Sequence, residues 1–275
     1  RDGCHHIELI NCDRAYGVGG FGFQDYYAPR GVDTPHHITI RRCKIHDIGI
    51  YVQNPDAEGI GVNGCDDLTI ENNEFYNCGS AYTCYPYTEQ TNRNTIIRWN
   101  YIHDMHTLGG ARGRGIELNM NPPNMQDRSG CQVYGNIVAN CPGVGYRSTF
   151  DQHQVLFYNN VAYNCDISFY FNFTYRDYTG PNIVLRNNIS LSPKTMHLYF
   201  GSATDDSNYT IDSDYNIFYP DMPNSFCLKE SGYATYPELS GWQSLSRSGC
   251  TFDPHSIVAD PLFVDPDNGD FRLQA

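Results

Sequence analysis

"DDLTIENNEFYNCG", residues 66–79, is the stretch that decides the fold. Leu68 and Ile70 alternate with polar residues, as in a half-buried strand, and Asn72 and Asn73 end that strand before a second short strand begins. Such self-similarity along a chain is typical of a solenoid. The same pattern recurs as "HHIELINC", "HHITIRRC", "NTIIRWN", "CQVYGN", "HQVLFYNN", "NIVLRNN" and "TIDSDYN".

The pattern has a regular period. The last residue of the pattern serves as an anchor. Seven steps separate the first anchor, residue 12, from the last, residue 216, so the mean distance between anchors is about 29 residues. Between anchors lies a second strand, as in "GIGVNG", "GIELNM", "GVGYRS", "SFYFNF" and "HLYFGS". Short strands with almost no helical periodicity predict an all-β, single-stranded parallel β-helix of about 8 coils. The anchors are Cys12, Cys43, Asn73, Asn100, Asn136, Asn160, Asn188 and Asn216.

Two further columns stay in phase with the anchors. Asn suits the anchor because its amide can hydrogen-bond the equivalent residue of the next coil, about 4.8 Å away. Five residues later, Cys78, Cys141 and Cys165 share one inward column, which predicts buried thiols. A β-propeller or sandwich would instead place Asn-Gly hairpin turns roughly every 8–12 residues. A coil of parallel strands is therefore favoured.

Composition narrows the functional class. The chain has 275 residues, 40% of them hydrophobic, which predicts one domain over residues 1–275. Lys and Arg number 18 against 31 Asp and Glu, so the net charge of −13 would repel nucleic acid. No run approaches the roughly 18 apolar residues that a membrane span needs, so no membrane insertion is expected.

The repeats and the tail carry a family resemblance. "HHITIRRCKIHDIG", "NIVLRNNISLSP" and the tail "YPELSGWQSLSRSGCTFDPHSIVADPLFVDPDNGDFRLQA" resemble the right-handed parallel β-helix family of secreted carbohydrate-active proteins, which includes polysaccharide lyases and glycoside hydrolases. The resemblance implies a right-handed coil, an extracellular or cell-surface location and a closing segment over residues 221–275. The chain starts inside a repeat, so we expect a fragment without an N-terminal cap. Asn119 and Met120 replace an acidic pair common in such sequences.

The second strand predicts a binding surface. Its alternate residues are expected to face outward, and amides, charges and phenol rings together suit a polysaccharide. Polar loops that include Arg112 and Arg114 flank this strand. The alternative is the ordinary polar face of an exposed sheet. The outward residues are Gln24, Asn63, Glu117, Asn119, Arg147, Tyr170, Asn172 and Tyr199.

Glycoside hydrolysis is the favoured reaction. It needs two carboxyl groups, roughly 5 Å apart for retention or 6.5–9.5 Å for inversion. Glu117 is the first candidate, with Asp151 on the following coil or Glu58, expected one coil back, as its partner. Glu117→Gln should then abolish turnover and leave folding intact. An ordinary ion pair between Glu117 and a nearby arginine is the competing interpretation.

Two other functions stay open. A polysaccharide lyase would use the arginines to neutralise a uronate, but the sequence supplies no evident base. A non-catalytic structural or adhesive protein would use the coil as a rod, with end-to-end or lateral self-association.

Other motifs give smaller expectations. Asn172 and Asn208 fit the N-glycosylation sequon, and Cys227 and Cys250 flank a segment that a disulfide could close. No metal site is expected from the histidines. "DPDNGD", residues 265–270, has the oxygen spacing of a calcium loop without its final Glu, so we expect an ordinary turn, no cofactor, and calcium as the alternative.

Overall fold

The computed structural model describes residues 4–23, 34–51, 57–85, 91–119, 130–150, 155–173, 182–202, 210–229, 233–236 and 238–274. Three sheets, each of nine strands in these ranges, form the walls of a coil, and successive turns of the chain add one strand to each sheet. Strands from successive coils pair in parallel, with like columns in register, for example Ile40 beside Ile70 and Ile97 beside Val133. The predicted parallel β-helix is confirmed.

The first sheet contains the strand that carries the diagnostic pattern. Its apolar alternate residues point into the coil, as the buried Ile38 and Ile40 do. Numbered in chain order, its strands are β1 (His5–Ile10), β4 (His36–Arg41), β7 (Asp66–Glu71), β10 (Ile96–Arg98), β13 (Cys131–Tyr134), β16 (Val155–Tyr158), β19 (Asn182–Arg186), β22 (Thr210–Asp214) and β26 (Thr251–Phe252).

The second sheet is narrow, with two or three residues per strand. It follows the first across a sharp corner. Its strands are β2 (Asp13–Ala15), β5 (Lys44–His46), β8 (Glu74–Tyr76), β11 (Tyr101–His103), β14 (Ile137–Ala139), β17 (Val161–Tyr163), β20 (Ile189–Leu191), β23 (Ile217–Tyr219) and β27 (Ile257–Val258).

The third sheet holds the strands predicted to carry function. All its pairs are parallel except the last, in which Tyr233–Tyr236 runs antiparallel to Phe226–Lys229. Its strands are β3 (Phe21–Phe23), β6 (Glu58–Val62), β9 (Ser80–Cys84), β12 (Arg114–Leu118), β15 (Val144–Phe150), β18 (Ile167–Phe173), β21 (Met196–Ser202), β24 (Phe226–Lys229) and β25 (Tyr233–Tyr236).

A ladder of buried asparagine amides links the coils. Asn136 Oδ1 accepts from the backbone N–H and the side-chain amide of Asn100 at 3.1 and 2.9 Å, and its own amide donates to the Ile97 carbonyl at 2.9 Å. Asn160 repeats this arrangement against Asn136. Each rung therefore satisfies polar groups of its neighbours inside the coil, where an unpaired group would be costly.

The core is apolar with thiols, as the columns predict. Cys78, Cys141 and Cys165 are buried in the coil. Burial raises the pKa of Cys78 to about 12, so that thiol stays neutral. These side chains act as small apolar groups.

The C-terminal segment closes the coil and the ladder. Ser256 Oγ accepts from the Asn216 backbone N–H at 2.7 Å, in the position that an asparagine would occupy on a further coil. The helix α1 (Leu239–Gln243) places the buried Trp242 against Phe200, with ring centroids 5.6 Å apart. Beyond it, the antiparallel pair β28 (Phe263–Asp265) and β29 (Asp270–Leu273) packs on the second sheet.

Candidate functional site

The register of the third sheet brings the predicted residues into one column. Glu117 on β12 pairs with Arg147 on β15, which pairs with Tyr170 on β18 and then Tyr199 on β21. A second column runs beside it, where Thr149 pairs with Asn172 and Thr149 Oγ1 lies 3.3 Å from Asn119 Oδ1. The strand periodicity predicts both columns.

Glu117 lies at the centre of an arginine cluster. Its Oε1 accepts hydrogen bonds from Arg114 and Arg147, and from the Asn119 amide at 2.5 Å. Arg112 Nη1 is 3.6 Å from the same oxygen. Only 1% of the Glu117 side chain is exposed. Asn63 and Asn119 are also buried, so these three outward-facing members of the predicted strip have little contact with solvent.

These contacts set the charge of Glu117. Burial raises the pKa of its carboxyl, but Arg114, Arg147 and the Asn119 amide together outweigh burial, and the pKa ends below its ordinary value. Glu117 is therefore ionised at neutral pH. A general acid needs the opposite shift.

Arg112 and Tyr85 form one wall of the site. The Arg112 guanidinium hydrogen-bonds the Tyr85 hydroxyl and lies 5.7 Å from the centre of its ring. Burial, followed by the charge of Glu117, raises the pKa of Tyr85, so the phenol stays protonated. Arg112 is the most exposed of the three guanidiniums, at 44%. It follows a 3-10 turn over Leu108–Gly110 in which Gly109 and Gly110 adopt positive φ.

An open pocket of about 390 Å³ lies over this cluster. Guanidinium, amide, hydroxyl and phenol groups converge on it, a set that can hold both an anionic group and sugar hydroxyls. Its lining residues are Tyr85, Arg112, Arg114, Asn119, Arg147, Thr149 and Asn172.

The ring of Tyr170 lies between two neighbouring side chains. The Tyr170 and Tyr199 rings stack on each other, with centroids 4.5 Å apart and an angle of 4°. The Arg147 guanidinium lies 5.3 Å from the centre of the Tyr170 ring. Both faces of the Tyr170 ring therefore have neighbours. This arrangement does not favour the stacking of a sugar on Tyr170 that the sequence suggested.

Of the two proposed carboxylate partners of Glu117, the described residues include Glu58. Glu58 is aligned with Ser80 and then Arg114, so it lies two coils from Glu117, about 10 Å by strand spacing, and not one coil back as predicted. The reason is that the strand Ser80–Cys84 lies between them. Asp151 lies outside the described residues. Asn63, on the coil of Glu58, hydrogen-bonds the Tyr85 carbonyl at 3.1 Å when its amide is oriented to donate.

Two residues of the site, Tyr85 and Thr149, are not among those predicted from the sequence. Thr149 lies one residue beyond the segment "GVGYRS", and Tyr85 directly follows the strand Ser80–Cys84, which the pattern did not identify. Both residues would be identified if the pattern were extended by two residues at the end of each third-sheet strand and if the strand Ser80–Cys84 were included.

The smaller expectations have mixed outcomes. Asn172 is half-buried and lines the pocket, and Asn208 lies outside the described residues. Cys227 is buried on β24 and Cys250 precedes β26, and their pairing stays a prediction. Within residues 265–270 lies a 3-10 turn, Pro266–Asn268, and the Tyr163 hydroxyl on the second sheet donates a hydrogen bond to Asp267 of this turn.

Two further features concern metal binding and membrane insertion. In them, no group of three or more His, Cys, Asp or Glu side chains could hold a metal ion. No helix in the described part of the chain is long and apolar enough to cross a membrane.

Comparison with known proteins identifies the family. The family model of the right-handed β-helix region matches residues 30–215, which is more than half of the chain. No curated protein and no solved structure matches significantly. The match agrees with the three parallel sheets and the coil-by-coil register. The chain therefore belongs to the right-handed β-helix family.

Proposed function

We propose that this protein is an extracellular carbohydrate-active protein that binds an acidic polysaccharide along its third sheet. The observation that carries the proposal is the convergence of Arg112, Arg114 and Arg147 on the single carboxylate of Glu117 below an open pocket.

Charge supports an anionic ligand. Three guanidiniums lie within 3.6 Å of a single carboxylate oxygen, Glu117 Oε1, so cationic groups are concentrated at this place. The chain as a whole has a net charge of −13, so this concentration of positive charge is local. Guanidinium groups bind carboxylate or sulfate through paired hydrogen bonds, and a uronate carries such a group.

Polar neutral groups support a sugar ligand. Asn119, Thr149 and Asn172 line the same pocket and supply amide and hydroxyl groups for sugar hydroxyls. A small inorganic anion would need the arginines alone. The combined lining favours a sugar unit with an acidic substituent.

Hydrolysis is the reaction to test first, with Glu117 in a changed role. Because its pKa is lowered, Glu117 would act as the ionised carboxylate, and the acid would have to come from another residue such as Asp151. Elimination is the second candidate, since the arginines would neutralise a uronate. The remaining alternative is binding without turnover.

The test compares variants on one acidic polymer. Affinity electrophoresis in polygalacturonate should detect binding by the wild type and a loss of at least about tenfold in Arg114→Gln/Arg147→Gln. Arg272→Gln is the matched control, because Arg272 is exposed and pairs only with Asp270 in the described contacts. New reducing ends would indicate hydrolysis, and ultraviolet absorbance of unsaturated uronate ends would indicate elimination. Unchanged binding in the double variant would refute the proposed site.

A further inference from the structure

Two cysteines stand where the anchor ladder otherwise has asparagine. The anchors at Cys12 and Cys43 are cysteines, whereas those from Asn73 to Asn216 are asparagines. Asn73 Oδ1 accepts from the Cys43 backbone N–H at 2.9 Å, and the Asn73 amide donates to the Ile40 carbonyl at 2.9 Å. The asparagine side chain therefore extends towards the preceding coil.

The Cys43 thiol makes the same two contacts one coil earlier. Its Sγ accepts from the Cys12 backbone N–H at 3.4 Å and donates to the Leu9 carbonyl at 3.5 Å. Leu9 is aligned with Ile40, so the two rungs are equivalent. The Cys43 sulfur thus lies against the backbone of Cys12, and the two thiols are in hydrogen-bonding contact.

The backbone spacing of these two cysteines suits a disulfide. Ile10 pairs with Arg41 just before the corner. Asp13 pairs with Lys44 just after it, so the two cysteines lie side by side on neighbouring coils. Aligned residues on neighbouring parallel strands are about 4.8 Å apart, and the Cα atoms of a disulfide are usually about 4.4–6.8 Å apart. A bond between the two sulfurs therefore needs little movement of the backbone.

Solvent access distinguishes this pair from other stacked thiols. Cys141 and Cys165 also lie on neighbouring coils, but both are fully buried. Cys12 is half-buried, so an oxidant can reach its sulfur, whereas Cys43 is buried beneath it. Burial raises the pKa of Cys43, so this thiol stays protonated at neutral pH. Cys12 is therefore the thiol that reacts first with an oxidant, and Cys43 is the thiol that completes the bond.

We propose that Cys12 and Cys43 are a site of oxidation, at which a disulfide joins the two coils and stabilises them. The oxidant is a small disulfide such as oxidised glutathione. The Cys12 thiolate attacks one sulfur of this oxidant and releases one glutathione thiolate, and the Cys43 thiolate then attacks the Cys12 sulfur and releases the second. The two cysteines lose two electrons and two protons, which convert the oxidant into two glutathione thiols.

The bond would make the stability of these coils depend on redox conditions. It closes a loop through residues 13–42, and closing a loop of this length restricts the unfolded chain and so favours the folded one. The extracellular location proposed above would be oxidising, and there the bond would persist. Its formation in a test with the purified chain does not depend on that location.

Peptide mapping tests the site. The folded wild type is incubated with oxidised glutathione at about pH 8, the remaining thiols are blocked with N-ethylmaleimide in urea, and the digest is analysed by mass spectrometry. A peptide that joins Cys12 to Cys43 is expected. Cys12→Ser should lack it, and Cys4→Ser, the control at an exposed cysteine, should retain it. The proposal is overturned if both cysteines are blocked, or if Cys12 carries glutathione while Cys43 is blocked.

Thermal melting tests whether the bond stabilises the coils. The same oxidation should raise the melting temperature of the wild type at least about 3 °C more than that of Cys12→Ser. The comparison with Cys12→Ser removes the effect of any other disulfide that forms. Cys4→Ser should behave like the wild type. Equal rises in the wild type and Cys12→Ser would overturn the proposal that this bond stabilises the two coils.

Discussion

Acidification should destabilise the fold through one buried histidine. His197 on β21 is fully buried, and its Nε2 donates to the Pro220 carbonyl at 2.8 Å. Because a carbonyl only accepts, the proton is on Nε2, and Nδ1 accepts from the Ser190 hydroxyl at 2.7 Å. Protonation of Nδ1 would place a charged imidazolium in the core, out of contact with water.

The size of the effect follows from the pKa. Burial lowers the pKa of His197 from 6.5 to about 4, against a small opposing effect of the Pro220 carbonyl. Below pH 6.5 the unfolded chain takes up a proton that the folded chain refuses, so stability falls as the pH falls from 6.5 towards 4. At pH 4 the loss from this residue should be about 3 kcal/mol.

A matched variant isolates this loss from other titrations. His197→Gln retains a donor and an acceptor but does not titrate, so its free energy of unfolding should fall by about 3 kcal/mol less than that of the wild type between pH 7 and pH 4. Urea denaturation at both values gives the comparison. Equal losses in the two proteins would refute the reasoning, because they would mean that His197 is either charged when folded or able to open to water.

Three other predictions concern the ladder, the closing segment and the site. Asn136→Ala removes the acceptor of two hydrogen bonds donated by Asn100, and it should lower the free energy of unfolding, measured by urea denaturation, by about 3 kcal/mol or more. The control Asn159→Gly, at an exposed turn, should lower it much less. Equal losses in the two variants would mean that the ladder does not stabilise the coil. In Asp253 one carboxylate oxygen accepts from Trp242 and the other from Ser256, and Asp253→Asn replaces one of these oxygens with an amide NH2 group that cannot accept. The variant should lower the melting temperature followed by Trp242 fluorescence, and an unchanged melt would contradict this. Because its pKa is lowered, Glu117 should stay ionised from about pH 5 to about pH 8, and the affinity for acidic polymer should not change with pH through titration of this residue in that range. A step in the affinity within that range would mean that Glu117 changes its charge there.

The periodic parts of the fold are predictable from the sequence. Each coil repeats the same strand, corner and anchor, so the apolar columns and the asparagine ladder follow from alignment alone. The strand Ser80–Cys84 escaped because all five of its residues are buried and it lacks the Gly-x-Gly or alternating pattern of its neighbours. That omission moved Glu58 one coil too close to Glu117.

The candidate site was predicted in part. Strand alternation places Glu117 and Arg147 on the same side of the sheet, and the sequence also suggested an ion pair for Glu117. The burial of Glu117 could not be read from alternation, because an outward side chain is exposed only if nothing covers it. The pKa of Glu117 depends on the balance of burial and three nearby donors, and that balance requires side-chain positions.

The most direct test of the account compares two polymers that differ only in charge. Polygalacturonate and its fully methyl-esterified form have the same sugar and linkage, and calorimetric titration of each would measure what the carboxylate contributes. We expect the wild type to bind the acidic form at least about tenfold more tightly at low salt, and this difference to be lost in Arg114→Gln/Arg147→Gln. Equal affinity for the two forms in the wild type would contradict the proposal that the arginine pocket recognises an acidic sugar.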